Sequence, residues 1–317
     1  MLNVASHRII TGHLLAWLVA MMLTLPVAPA WSADGVREHT LVIGKVSTNP
    51  KKHYRYLKPM ADYVVHQMKD LGIDRSQVLM ARNNRQMIRY LRQGKVDWVT
   101  ETVFSALEFE REAGAEILLL KWKKGVATYH TVFITRHGSS IHSLQDLRDK
   151  TITLQDKGST TGFFIPVALM LDAGLELVEL QSPREKPPKG TVGYVFGKEE
   201  INMSTWVHKG IVDAAAFSDL DLEKDDHTPK SFRKNMVIFH RSREYPRALE
   251  LVRKDLRPEL KQRLKSVLLA SHEDPEAAAA LKAYQKTQRF SDIDESVKQG
   301  IDRARAILKT VDRELDL

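Results

Sequence analysis

Apolar positions recur along this chain in two alternating rhythms. Leu41-Val42-Ile43-Gly44-Lys45-Val46 is a short, nearly continuous apolar run that predicts a strand, ending at Ser47-Thr48-Asn49-Pro50. Leu57, Met60, Ala61, Val64, Met68 and Leu71 then recur at intervals of three and four, which predicts a helix closed by Gly72. A strand over 77–81 follows, then a helix capped by Asn83 or Asn84, buried through Met87, Ile88 and Leu91 and stopped by Gly94. The alternation continues with a strand at 96–100, a helix at 103–112, strands at 116–122 and 129–135, a capped turn at 143–147 and a strand at 151–154. Beyond a helix at 167–171, Pro183, Pro187, Pro188 and Gly190 mark an irregular excursion. A helix at 198–209, strands at 212–217 and 236–239, and a mostly helical stretch from Arg257 complete the pattern. Strand and helix in alternation predict an α/β protein with parallel sheets covered on both faces.

Two features stand out against that rhythm. The first is Asp156-Lys157-Gly158-Ser159-Thr160-Thr161-Gly162, followed by Phe163-Phe164-Ile165-Pro166, between a predicted strand and a predicted helix. Such a loop presents free backbone N–H groups at a positive helix end with three hydroxyls beside them, which suits an anion with several oxygens. The plainer alternative is a helix cap and a turn. The second is an internal echo, in which Met87, Gly94, Val96 and Asp97 share their spacing with Met203, Gly210, Val212 and Asp213, 116 positions on. Either two lobes share one plan, or both segments follow the ordinary grammar of a helix leading to a strand. In open α/β sheets ligands bind beyond the carboxyl ends of strands. That makes Thr100-Glu101-Thr102 and Ser218-Asp219 candidates.

The first thirty residues read as a cleaved signal peptide: His7 and Arg8, an apolar stretch from Leu14 to Leu25, then Ala28-Pro29-Ala30. The apolar stretch is about 12 residues where roughly 20 are needed to span a bilayer, and an uncleaved anchor is the alternative. The chain has no cysteine, which excludes a lipid anchor by that route, disulfides and thiolate metal sites. Lys plus Arg number 48 against 40 Asp plus Glu, and removing residues 1–30 takes away Arg8 alone, leaving the excess at +7. No long basic run is present, so nucleic acid is not expected as a partner. Lys121, Lys123 and Lys124 form the densest cluster, and Arg82, Arg85, Arg89 and Arg92 fall along one helix side. Both groups are expected to be solvated faces, leaving only a general attraction for anions.

Catalytic and metal signatures are absent. Ser159 is not flanked as a nucleophile elbow requires, no Gly-Lys-Ser/Thr phosphate loop occurs, and no two histidines bracket a Glu at helical spacing. No cofactor and no metal site are expected. Asp97 and Asp213 read as structural.

The loop from Asp156 to Pro166, with Ser159-Thr160-Thr161-Gly162 and Pro166, resembles the S-T-S-G-x-x-x-P signature of the PhnD-like phosphate/phosphite/phosphonate-binding proteins of ABC importers. Residues 57–63, Gly94-Lys95-Val96-Asp97, Gly210-Ile211-Val212-Asp213-Ala214, Ser242 to Pro246 and residues 252–256 are similar to the family as well. The resemblance implies a type 2 periplasmic binding fold: two α/β lobes, each a mainly parallel sheet, joined by two crossing strands. Lobe 1 would take residues 31–128 plus 242–317, and lobe 2 residues 129–241. It further implies that Ser159, Thr160, Thr161 and Gly162 hold the phosphoryl oxygens. The family's Tyr after the third strand has no counterpart in Thr102-Val103-Phe104-Ser105-Ala106, and Glu199 stands where a family His is expected. Tyr54 or Tyr56 could supply the hydroxyl, and Thr48 and Thr102 complete the candidate set. Glu101, Glu199 and Asp219, if they faced the ligand, would repel a bare dianion and suit a ligand with a cationic group.

The expected function is a monomeric periplasmic solute-binding protein that delivers a small phosphorus oxyanion or organophosphonate to an inner-membrane ABC permease. A sensor that signals to a membrane partner such as a histidine kinase is the alternative, and an enzyme on the same fold is a third reading disfavoured by the missing catalytic groups.

Overall fold

The first apolar run is buried along Thr40 to Ile43 and Gly44, as an unalternating strand should be when both its faces are covered. The computed structural model describes residues 37–47 and 49–315. The expected signal peptide at residues 1–30 and Thr48 lie outside the described residues. After β1 (Thr40–Val46), Asn49 caps α1 (Pro50–His66) by accepting from the Lys52 N–H, and Pro50 sits in the first turn, where a missing N–H is harmless. β2 (Arg75–Ala81), α2 (Asn84–Arg92), β3 (Trp98–Glu101), α3 (Val103–Ala113) and β4 (Glu116–Lys123) follow. The chain crosses through β5 (Thr128–Tyr129) to β6 (Thr131–Arg136) and β7 (Thr151–Leu154). A π-helical turn (Thr160–Phe164) leads directly into α4 (Ile165–Asp172). Next come β8 (Leu177–Glu179), β9 (Val192–Phe196), α5 (Glu200–His208), β10 (Ala214–Ser218), α6 (Asp219–Leu222), α7 (Lys230–Arg233) and β11 (Met236–Arg241). β12 (Tyr245–Pro246) brings the chain back to β13 (Leu249–Val252), α8 (Pro258–Ala270), α9 (Ala278–Ala283), β14 (Thr287–Ser291) and α10 (Glu295–Leu315).

Two six-stranded sheets result, ordered β14-β4-β13-β3-β1-β2 and β11-β6-β10-β7-β9-β8. The α/β class is as expected, with helices flanking the sheets, and each sheet is mixed, most of its strands running one way. In the first, β1 runs parallel to β2 and β3, whereas β13 and β14 are antiparallel to their neighbours. In the second, β7 to β10 are mutually parallel, β6 runs against them, and β11 pairs antiparallel with β6 at the sheet's edge. The physical reason is the crossing chain, which enters and leaves each sheet without a helix to reverse it. β5 and β12 pair antiparallel, Tyr129 opposite Tyr245 and Thr128 opposite Pro246, as a two-stranded ribbon between the sheets.

The echo is a true structural repeat. Gly94 and Gly210 both adopt the left-handed conformation that stops a helix, at φ 62° and 68°. The Asp97 carboxylate then accepts from the Val42 N–H at 2.8 Å and that of Asp213 from the Thr151 N–H at 2.9 Å. Each aspartate therefore ties the strand that follows it to its parallel neighbour, and both are structural as expected.

One apolar cluster runs from the first sheet to the second. Phe104 in α3 stacks on Phe164 in the π-helical turn, with ring centroids 4.5 Å apart. α10 lays Val297, Ile301, Ala304, Leu308 and Val311 inward at helical spacing and touches α3, α4 and β12. Among the described residues, no helix is long and apolar enough to cross a membrane.

Candidate functional site

The carboxyl ends of β1 and β3 carry Lys45 and Glu101. Lys45 Nζ lies 3.2 Å from Glu101 Oε1 and donates to the Thr100 carbonyl at 3.3 Å, while the same Glu101 oxygen accepts from the Val46 N–H at 2.8 Å. Glu101 is therefore buried, with its Oε1 held within the first sheet.

Lys121 and Lys123 overturn the expectation of a solvated lysine face; only Lys124 is exposed. β4 places the two on the same side, two residues apart. Lys121 is 1% exposed, paired with Glu250 at 3.4 Å and seated 4.3 Å over the Tyr284 ring. Burial, opposed by Glu250, brings its pKa down to about 8. Lys123, the last residue of β4, has no carboxylate partner among the described residues. Burial and then the charges of Lys45, Arg247, Lys121 and Lys224 hold its pKa well below the usual lysine value. Arg247, buried beside the ribbon, donates to the Lys123 carbonyl and lies within the fields of Tyr129, Asp221 and Asp219. Arg82, Arg85, Arg89 and Arg92 are exposed, as expected.

From the second sheet comes the π-helical turn. Ser159 accepts from the Gly162 N–H at 3.0 Å and donates to Gln155 Oε1 at 2.6 Å. A Cβ on Gly162 would stand 2.5 Å from Gln155 Cβ and 2.9 Å from Ser159 Oγ, so this tight turn has room only for glycine. The Thr161 carbonyl accepts from Thr131 Oγ1 at 3.0 Å. Thr160 is 2% exposed, and its Oγ1 has no hydrogen-bond partner. The Tyr129 hydroxyl lies beside it, and burial raises the Tyr129 pKa, an effect opposed by Thr160. An orphaned buried hydroxyl at the head of a helical turn is uncommon, and π-helical turns recur at functional sites.

Acids gather on the second sheet's side, though not those expected. Asp219 Oδ1 accepts from the N–H groups of His130 and Leu220, and its Oδ2 pairs with Arg241 at 3.0 Å. Glu199 is exposed, and its neighbour Glu200 instead joins Asp221 and His227, whose ligand atoms lie within 4.8 Å of one another. Those three could hold a cation, but the Lys224 ammonium already touches Asp221. Burial works against the Asp221 charge, yet His227 and Lys224 hold its pKa down to about 2. Burial, with Asp221 beside it, raises that of Glu200. Contact with Asp221 raises that of His227.

Of the remaining candidates, Tyr54 is 46% exposed, Tyr56 packs edge-on against His53, and Thr102 precedes α3 without capping it. His53 meets Ser47 Oγ at 2.5 Å, and burial, then Lys45, bring its pKa down to about 4. Two open depressions, 660 Å³ along His272 to Thr287 and 340 Å³ along Asn49, Lys51, Lys52, Arg55 and Tyr56, contain none of the π-helical turn. Neither depression includes Lys123, Arg247 or Thr160.

Lys45, Arg247, Tyr129 and the cluster around Asp221 were not singled out by sequence, and Lys123 was noticed only as part of a basic cluster expected to be solvated. A signal was present for two of them: Lys45 and Lys123 sit at the ends of apolar strand runs, where a lysine is unusual, rather than on a helix face.

A family model described as ABC transporter, phosphonate, periplasmic substrate-binding protein matches residues 44–297. Among solved structures, XAC2383 from Xanthomonas citri bound to chloride ion is 38% identical, with a TM-score of 0.83 over 86% of this chain and 98% of that one. The same protein bound to ATP is 37% identical, with a TM-score of 0.83 over 87% and 99%. PhnD1 from Prochlorococcus marinus (MIT 9301) in complex with methylphosphonate is 16% identical, with a TM-score of 0.65 over 87% and 99%, a likeness of fold alone.

Proposed function

The chain belongs to the periplasmic substrate-binding proteins of phosphonate ABC transporters, and on that premise we propose that it captures a phosphorus oxyanion or organophosphonate between its two sheets for delivery to an inner-membrane permease. The phosphoryl oxygens would take the N–H groups and hydroxyls of Ser159 to Gly162, with Thr160 Oγ1 donating. Lys123 and Arg247 would supply charge from the facing side, and Tyr129 the hydroxyl that Tyr54 is too exposed to provide. The ligand would draw the sheets together about the β5/β12 ribbon, coupling binding to a population shift. The family is one of binding proteins, and the reading includes no catalytic step.

The observation that carries this reading is Lys123, a part-buried lysine at the end of β4 with no carboxylate partner among the described residues. A partly desolvated cation without a partner is costly and is retained where a ligand supplies the counter-charge. The anions bound by XAC2383, chloride and ATP, support an anion here too. Calorimetric titration with phosphate, phosphite, methylphosphonate, 2-aminoethylphosphonate and ATP tests the reading. Saturable heat with at least one is expected, and none with any, from folded protein, contradicts it.

A further inference from the structure

We propose that Phe104 is a positioning residue for anion capture: its ring, carried by a helix of the first sheet, holds the Ser159 to Gly162 turn in the shape that presents Thr160 Oγ1 to the ligand. The inference rests on the anion-binding reading above. α3 packs against β4 and β13 of the first sheet, and the π-helical turn packs against β6 and β10 of the second. Phe104 and Phe164 bridge the two. Their ring planes are 3° from parallel with centroids 4.5 Å apart, and both residues are buried. Near-parallel rings in contact fix each other's plane as well as their separation.

Consecutive residues grip the turn from opposite sides. Phe163 faces the second sheet, meeting Tyr194 at 6.4 Å and Phe196 at 5.7 Å on β9, whereas Phe164 faces α3. The turn is closed by the Phe164 N–H on the Ser159 carbonyl at 3.1 Å and by the Ile165 N–H on the Thr160 carbonyl. Pro166, five residues beyond Thr161, has no N–H to donate, so the Thr161 carbonyl accepts from Thr131 Oγ1 at 3.0 Å instead. A π-helical turn is rare and persists where its surroundings impose it. Relaxation to an ordinary α-turn would give the Thr161 carbonyl to the Ile165 N–H, displace Thr131 and swing the Thr160 hydroxyl away. Among the described residues, the Phe104 ring is the one aromatic contact that reaches the turn from the first sheet's side. The shape of the turn therefore answers to the relative position of the sheets, on which ligand-driven closure acts.

The test is a double-mutant cycle on anion affinity, read by calorimetry with methylphosphonate and with ATP on the wild-type protein, Phe104→Leu, Thr160→Val and the double variant. Leucine keeps an apolar side chain in place and removes the flat face. Phe104→Leu should weaken binding by about tenfold. In its background Thr160→Val should cost at least about fivefold less than it does alone, because a misplaced hydroxyl has little left to lose. Phe109 lies on the same helix, is equally buried and has no stacked ring among the described residues. Phe109→Leu should lower the melting temperature comparably, yet leave affinity within about twofold and the cost of Thr160→Val unchanged. If Phe104→Leu does not fold, Phe164→Leu breaks the same stack from the turn and replaces it in the cycle. Unchanged affinity in the stack variant, losses that simply multiply with Thr160→Val, or an equal affinity loss in Phe109→Leu overturn the inference while leaving the anion reading intact. Absence of binding to the wild-type protein by methylphosphonate, ATP and every other phosphorus oxyanion in the panel overturns both.

Discussion

At the residue scale the account turns on groups whose bonding is incomplete. Thr160 Oγ1 is buried and unpaired, so Thr160→Val should leave thermal stability unchanged or raise it while weakening anion binding by about 1–3 kcal/mol, the cost of a lost buried partner. Calorimetry and a thermal melt of the same variant check both halves. Lys121 shows the opposite situation. Its ammonium is enclosed with Glu250, which also accepts from Trp98 Nε1 at 2.5 Å and the Tyr284 hydroxyl at 3.0 Å. Burial outweighs attraction in this pair, lowering the pKa of Lys121 and raising that of Glu250. Lys121→Ala should therefore destabilise by about 3–5 kcal/mol, and Lys121→Met combined with Glu250→Leu should recover most of the loss. Denaturant titration of the two variants decides it, and a double variant no more stable than the single would refute the argument.

At the element scale, the loop between α6 and α7 is held by Asp221, Lys224 and His227. The folded pKa of His227 is raised, so its contribution is complete below about pH 6.5 and is lost as pH climbs through the higher folded value. Asp221 is depressed to about 2, so its contribution is present above about pH 4 and fades as pH falls toward that value. Stability from this loop should thus peak between those limits, and His227→Gln should abolish the alkaline decline in a melt series across pH. α10 makes a different demand. A Cβ on Gly300 would lie 2.9 Å from Pro246 Cδ in the ribbon, whose ring cannot yield easily. Gly300→Ala should lower the melting temperature despite a helix-propensity gain of roughly 1 kcal/mol; a higher melting temperature would show that α10 can move off the ribbon.

Elements with their own periodicity were legible in sequence. The helices at 50–66, 84–92 and 103–113 and the strands at 40–46 and 75–81 fall close to where apolar spacing puts them. β13 was not legible, because it is four residues long and its centre is Glu250, a charge that disguises a buried strand. β9, following a proline- and glycine-rich stretch, and β14, within an apparently helical tail, were hidden likewise. The residues from 129 to 135 read as one strand but divide into β5 and β6, because the chain must leave one sheet before entering the next.

At the scale of the whole molecule, the Ser159 to Gly162 turn was legible because its chemistry is local: hydroxyls, a glycine and a helix start adjoin in sequence. The opposing half was not. Lys45, Lys123 and Arg247 come from β1, β4 and the segment after β12, and only the sheet order β4-β13-β3-β1 and the returning ribbon bring them together. Composition showed a cationic excess, whereas topology determines which cations lose their solvent. The acids also changed role, since Glu101 serves Lys45 and Asp219 serves His130 and Arg241, leaving Glu200 and Asp221 nearest the junction.

The most direct test is a crystal structure of the protein grown with a phosphorus oxyanion from the titration panel. The account predicts phosphoryl density between the sheets, within hydrogen-bonding distance of Thr160 Oγ1 and of the Lys123 ammonium. Density confined to the depression at Lys51, Lys52 and Arg55, with the Thr160 turn unchanged and unoccupied, would contradict it.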